Sequence, residues 1–340
     1  EERIQEVARS YLRPHAEELS TDIHGNLIAA KNCSARPRLM FAGHCDQIGM
    51  LVSHVDDSGF VFAQPIGGWD PQQLVGQAMT IWTRQGPLPA VISRKPIHLL
   101  KDKERQQVVE LDQLWLDCGS SSKAQTLERV CIGDPVTLQL NHRHLLNQLI
   151  SGPGLDNKTG MWSVIEGFRR AVQRGIECAL FSVSTVQEEI GLRGAKTAAG
   201  SIHPDVAIAV DVTHASDCPT IDKQQNGDLR LGRGPVLFRG PNINPLVFER
   251  LRQLALDHKI PFQVAAIGRA ASNDANVLQL HGGGVATGLV AIPNRYMHSA
   301  VEVCSLEDLD HAAELLALFA VHLSSTDDFR PRVAAGQLLA

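Results

Sequence analysis

The chain has 340 residues, 44% of them hydrophobic and 20% charged, with a formal net charge of −5. That balance belongs to a globular protein with a sizeable core, and a mild negative charge with unclustered Lys and Arg leaves no footprint for nucleic acid. No apolar run reaches the ~20 residues that cross a bilayer and no secretory signal is visible near Glu1, so no membrane association and a cytoplasmic location are expected. Seven cysteines (Cys33, Cys45, Cys118, Cys131, Cys178, Cys218 and Cys304) make an odd number without a CxxC pair. They read as reduced thiols, and any metal must then be held mainly by His and carboxylates.

In chain order, residues 2–18 read as an amphipathic helix, followed by short apolar runs at 39–42 and 50–52. From about 64 to 150 the rhythm changes. Short β-like runs at 79–83, 90–92, 108–111, 114–117 and 136–140 are separated by turn residues such as Gly86-Pro87, Cys118-Gly119 and Gly133-Asp134-Pro135. Closely spaced short strands predict a small β-barrel or sandwich, inserted as 64–150 into an α/β domain formed by 1–63 and 151–340.

Beyond it, Met161, Val164, Ile165, Phe168 and Val172 recur at helical spacing, and Gly175 supplies a stop. Residues 179–186 and 206–210 read as strands, 245–258 as a helix and 288–292 as a strand. Ser305 with Asp308 reads as a capping signature for a helix that carries Leu309, Ala312, Leu316 and Phe319 on one face. After Ser324 the tail turns polar, then Ala-rich, and is expected to be peripheral. Strands alternating with helices predict an α/β fold with a mostly parallel central sheet flanked by helices.

The chemistry-bearing residues fall at the ends of these strands. His44 and Asp46 follow the run 39–42, Glu188 and Glu189 follow 179–186, Asp211 follows 206–210, and His298 comes after 288–292. Asp156 lies in Gly152-Pro153-Gly154-Leu155-Asp156-Asn157, just before a predicted helix. Open α/β sheets bind ligands at the carboxyl ends of their strands. Two histidines and several carboxylates converging there suit zinc, cobalt or manganese.

Each residue alone has a plainer explanation. A single His is more often a hydrogen-bonded or exposed residue, Asp211 could cap a turn, and Asp156 could be a turn residue. Glu188-Glu189 could be a solvated pair, but it follows a buried-looking strand and precedes Ile190-Gly191-Leu192, where bare carboxylates are costly. The joint placement argues for a site. Residues two apart on an extended segment face the same side, and metal-bound histidines usually donate to a carboxylate, so Asp46 is expected to orient His44. Ten further histidines, at positions 54, 98, 142, 144, 203, 214, 258, 281, 311 and 322, are read as structural, His98 lying in the insertion and His214 near Asp211.

The chain resembles the tetrahedral aminopeptidases, a family of glutamyl, leucyl and deblocking enzymes, some of them labelled endoglucanase. The resemblance runs over nearly the whole length. It rests on Asp22-Ile23-His24-Gly25-Asn26-Leu27, Gly43-His44-Cys45-Asp46-Gln47-Ile48-Gly49, Lys95-Pro96-Ile97-His98-Leu99-Leu100 and Ile132-Gly133-Asp134-Pro135-Val136-Thr137. It continues through Leu155-Asp156-Asn157-Lys158-Thr159-Gly160, Gln187-Glu188-Glu189-Ile190-Gly191, Asp211-Val212-Thr213-His214 and Ile292-Pro293-Asn294-Arg295-Tyr296-Met297-His298-Ser299.

The resemblance implies an α/β domain with an inserted β-barrel, hollow tetrahedral dodecamers and peptide substrates. It implies two divalent ions, zinc first with cobalt or manganese as alternatives. His44 and Asp211 would hold one ion, Glu189 and His298 the other, and Asp156 would bridge them, with Glu188 as general base and Asp46 behind His44. Two departures stand out. Gln47 replaces the family's usual acidic residue, and Ala271-Ser272-Asn273-Asp274-Ala275 replaces a Gly-Thr-Asp-Ala-like segment. The rival readings are a related metal-dependent deacylase or carboxypeptidase, a glycosidase and a non-catalytic assembly protein. With only 5% aromatic residues, the stacking groove that a glycosidase usually lines is poorly supplied.

Overall fold

The computed structural model describes residues 1–331; the Ala-rich end of the tail expected to be peripheral lies outside them. An eight-stranded sheet runs in the order Glu18–Thr21, Leu27–Lys31, Ala179–Thr185, Arg38–His44, Val206–His214, Ala286–Asn294, Val236–Arg239, Gln263–Ala266. The four strands from Ala179–Thr185 to Ala286–Asn294 are mutually parallel. Their residues are buried nearly throughout, which is why they read as continuous apolar runs.

Helices cover both faces. Ser182 donates to the Val164 carbonyl of the helix Leu155–Arg174, while Thr185, of opposite parity on the same strand, donates to Asp274 of the helix Asp274–Leu278. Phe41, Phe168 and Phe319 are fully buried between the sheet, the helix Leu155–Arg174 and the helix Leu306–Val321. Gly43 lets the first of these helices come close, since a Cβ there would lie 2.9 Å from the Gly160 carbonyl carbon. That approach brings the start of the helix, with Asp156, up to the end of the His44 strand.

The expected barrel is present as six closed antiparallel strands with a separate core that includes Met50, Val61, Ile81 and Leu116. It begins earlier than residue 64. Its first two strands are Gly49–Val55 and Val61–Ile66, and its last is Pro135–Leu138. The strand Gly49–Val55 buries Met50, Val52 and Val55 with exposed or half-buried residues between them, so its apolar content is split and only 50–52 looked like a run. The segment 108–111 is not a strand; Val109 is buried there, but the following turn is the 3-10 helix Leu111–Gln113.

Ser305 precedes the last helix without a side-chain cap. Asp308 instead turns away from the helix end and accepts the N–H groups of Gly232 and Gly234 at 2.7 Å each. A small three-stranded sheet, Arg143–His144, Leu149–Ser151 and Val303–Ser305, ties the chain before Asp156 to the chain after His298. Among the described residues no helix is long and apolar enough to cross a membrane, and all seven cysteines are unpaired.

Candidate active site

The carboxyl ends of the four parallel strands gather the residues singled out above. His44 ends its strand and pairs in register with Thr185. The neighbouring ladder pairs Ala209 with Ala42, and the same offset carried two residues further puts Asp211 beside His44. Glu188 and Glu189 follow Thr185 after a turn in which Gln187 takes the left-handed conformation, φ 57°. His298 lies four residues beyond the strand Ala286–Asn294.

His44 is the hub of one half. Its Nε2 lies 3.3 Å from Asp156 Oδ1, 3.6 Å from Asp211 Oδ1 and 3.8 Å from Glu188 Oε2. Its Nδ1 lies 3.4 Å from Asp46 Oδ1 and 3.2 Å from the Asp46 carbonyl. Asp46 does more than face a ring. Its Oδ1 and Oδ2 accept the N–H groups of Glu188 and Glu189, both at 3.1 Å.

His298 is the hub of the other half. Its Nε2 lies 3.2 Å from Asp156 Oδ2 and 3.5 Å from Glu189 Oε2, and its Nδ1 meets the Gly68 carbonyl at 2.9 Å. In the neutral ring, with Nδ1–H donating to that carbonyl, Nε2 would carry the lone pair that a metal takes. Gly68 comes from the chain between the barrel strands Val61–Ile66 and Ala78–Thr83, so the barrel's connecting loop orients a site residue.

Seven carboxylates crowd this region: Asp46, Asp156, Glu188, Glu189, Asp211, Asp274 and Glu302. All are buried or half-buried. Burial pushes Glu188 up to about 10, helped by Asp211 and Asp274, and pushes Glu189 up to about 7, helped by Asp156. His298 rises to about 9 through its hydrogen bond with Asp156. His44 also rises, because hydrogen bonds to Asp156, Asp211 and Asp46 outweigh the effect of its burial. The cluster therefore balances its charge by holding protons, and a divalent cation balances the same charge more completely.

The donor set fits such ions. Tetrahedral ligand atoms ~2.1 Å from zinc stand about 3.4 Å apart, close to the separations around both histidines. Glu189 Oε1 is buried with no hydrogen-bond partner. The ligand atoms form two candidate groups, His44–Glu188–Asp211 and Asp156–Glu189–His298. One oxygen of Asp156 faces each histidine.

The departure at Gln47 has a visible partner. Half-buried Lys158 donates from its Nζ to Gln47 Oε1, a neutral acceptor where an acidic residue would form an ion pair. Asp274 in the divergent segment is buried, with Oδ2 accepting from Thr185 Oγ1 at 2.6 Å. His98 and His214 are exposed and join neither candidate group. Gly68, Asp274 and Glu302 were not among the residues chosen from sequence. A carbonyl carries no residue-type signal, and a single acidic residue, whether on a loop like Glu302 or at the first turn of a helix like Asp274, has no periodicity to betray it.

The fold and site together define an α/β enzyme with a buried histidine–carboxylate centre between sheet and barrel. Residues 25–315 match the M42 glutamyl aminopeptidase family, and the chain belongs to that family. It is a peptide hydrolase of the aminopeptidase class. It is 36% identical over 330 residues to a lysyl aminopeptidase of Pyrococcus furiosus, covering 95% of this chain and 92% of the relative. Its fold superposes with a TM-score of 0.90 on a TET aminopeptidase from a marine sediment archaeon of the Thaumarchaeota, at 29% identity over 95% of this chain and 91% of that one. The TET1 peptidase of Pyrococcus horikoshii, which assembles into a tetrahedron or a large octahedral shell, is similar with a TM-score of 0.84 and 29% identity, covering 95% of this chain and 94% of that one.

Proposed function

We propose that this aminopeptidase removes the N-terminal residue of peptides with two divalent ions, one held by His44 and Asp211, the other by Glu189 and His298, with Asp156 shared. The observation that carries the reading is Asp156, whose Oδ1 is 3.3 Å from His44 Nε2 and whose Oδ2 is 3.2 Å from His298 Nε2. When bound, such ions supply Lewis acidity and lower the pKa of water towards neutrality.

The chain's own residues do the rest. Glu188 lies farther from His44 Nε2 than either Asp156 or Asp211, which favours it as a free carboxyl over a third ligand, and bound cations would replace the proton that burial among carboxylates otherwise holds on it. It takes a proton from the attacking water at its side-chain oxygen and returns one to the leaving amine. Asp46 holds the peptide of the Glu188–Glu189 pair, so the base and its neighbouring ligand keep separate positions. The surplus of carboxylates provides the counter-charge for the free α-amine of the substrate, which separates an aminopeptidase from a deacylase. Zinc is the first expectation, with cobalt or manganese as alternatives. A homo-oligomer is supported by the tetrahedral and octahedral assemblies of the Pyrococcus horikoshii relative.

The test is metal-stripped protein reconstituted separately with Zn²⁺, Co²⁺ and Mn²⁺ and assayed on a panel of aminoacyl chromogenic substrates with free and N-acetylated amines. Metal-dependent release from free-amine substrates alone supports the reading. Hydrolysis of the acetylated series, or activity unchanged by chelation, overturns it. The preferred N-terminal residue emerges from the same panel.

A further inference from the structure

Glu302 does for Asp156 and His298 what Asp46 does for Glu188 and Glu189. Its Oε2 accepts the N–H of Asp156 at 2.8 Å and its Oε1 accepts the N–H of His298 at 3.1 Å. The residue is 1% exposed. Its main chain ties the same segments together. The Glu302 carbonyl accepts the Gly152 N–H at 3.0 Å, and Val303 pairs with Ser151 in the small sheet.

The loop that bears His298 is closed at its base by two hydrogen bonds between Arg295 and Val303. Inside it, Tyr296 and His298 have φ of 62° and 60°. Residues other than glycine hold that left-handed conformation only where the surroundings impose it. The Glu302 carboxylate, reaching across the loop to the His298 N–H, is such a constraint. Both of its oxygens face backbone donors, so it acts through these two residues and not on a substrate.

We propose that Glu302 is a positioning residue whose carboxylate sets the spacing between Asp156 and His298 and so the affinity of the ion half-site they form with Glu189. The proposal rests on the metal reading above. The residue is set apart from an ordinary structural acid by its partners, His298 in that half-site alone and Asp156 shared with the other.

The experiment titrates metal-stripped protein with Zn²⁺ against a chromophoric chelator and reads two stepwise affinities, alongside Tm. Glu302→Gln preserves shape but turns an NH₂ group towards one of the two N–H donors. One of the two zinc ions is expected to bind ~10–100-fold more weakly, the usual cost of losing a group that orients a ligand. It is the same ion that is missing in His298→Ala, while the other, which depends on Glu302 only through the shared Asp156, weakens less. Glu302→Asp, charged but one methylene shorter, weakens the same ion and decides the matter alone where the Gln variant does not fold. Asp308→Asn is the control, because Asp308 also holds two N–H groups, those of Gly232 and Gly234; it lowers Tm and leaves both zinc affinities in place. Wild-type zinc affinities in a folded Glu302 variant overturn the proposal, and so does equal weakening of both ions matched by Asp308→Asn. A wild-type chain that binds none of Zn²⁺, Co²⁺ and Mn²⁺ overturns the metal reading and this proposal with it.

Discussion

The sharpest test of the proposed chemistry is Glu188→Gln. The substitution is isosteric, and the Glu188 peptide stays where it is because its N–H is bound to Asp46 Oδ1 at 3.1 Å and the preceding Gln187 holds a left-handed φ of 57°. What is removed is the proton acceptor alone. Loss of a general base typically costs ~10²–10⁴-fold in rate, which at about 1.36 kcal/mol per decade is roughly 3–5 kcal/mol of barrier. We expect kcat on a free-amine chromogenic substrate to fall by at least ~10²-fold, with zinc still bound at two per chain by atomic emission. Turnover near that of the wild type would refute the role of base. Binding of only one zinc would refute it differently, by making Glu188 a ligand with His44 and Asp211, a grouping their positions also permit.

Three further outcomes follow from the structure. Gly160→Ala places a Cβ 2.2 Å from Asn157 Oδ1 and 2.7 Å from the Val210 carbonyl, where Asn157 already bridges Gly160 N–H and Val210; overpacking of ~1–3 kcal/mol is expected, read as a fall in Tm of several degrees, and an unchanged Tm would show that the helix can shift. Glu166 is held well down, at about 2, chiefly by its hydrogen bond to Arg169, with Arg170 adding to it against partial burial. A carboxylate with a lowered folded pKa contributes stability above its unfolded value, near 4.5, that is lost as pH falls towards 2. Glu166→Gln should therefore be less stable than wild type at pH 7 in urea melts and equal to it near pH 2, and a difference that persists at low pH would exclude the ion pair as its cause. Chelation of the metal should lower Tm as well as activity, because ions that bind only the folded chain stabilise it by mass action, and a Tm insensitive to chelator would count against resident ions.

Much of the arrangement could be read from residue order because the ends of buried parallel strands are easy to find. Runs such as 39–42 and 206–210 are apolar throughout, so the first polar residues after them, His44 and Asp211, mark the sheet's edge. Asp211 lies inside a longer strand than its apolar run suggested, Val206–His214; the pairing with Ala286–Asn294 carries the ladder past it. The barrel boundary was harder. Short strands on a small barrel bury every second residue, and the bulge between Val52 and His54 breaks even that alternation in the strand that leads into it.

The groups that hold the site in shape are the least legible, for a reason visible in the bonds they make. Asp46 and Glu302 act on backbone N–H groups, which every residue except proline carries, so nothing in the identity of their partners calls for a carboxylate at a given spacing. Asp46 drew notice only because it sits two residues from a histidine. Glu302 lies four residues past His298, at a distance set by a loop whose left-handed turns no hydrophobic pattern encodes. The ligand-type residues are constrained by chemistry that names side chains, whereas their supports are constrained by geometry that several side chains could meet. Substitutions at the supports should therefore grade with length and acceptor count, Asp and Gln at position 302 each keeping part of the function, while substitutions at His44 or Asp156 should abolish it in a single step.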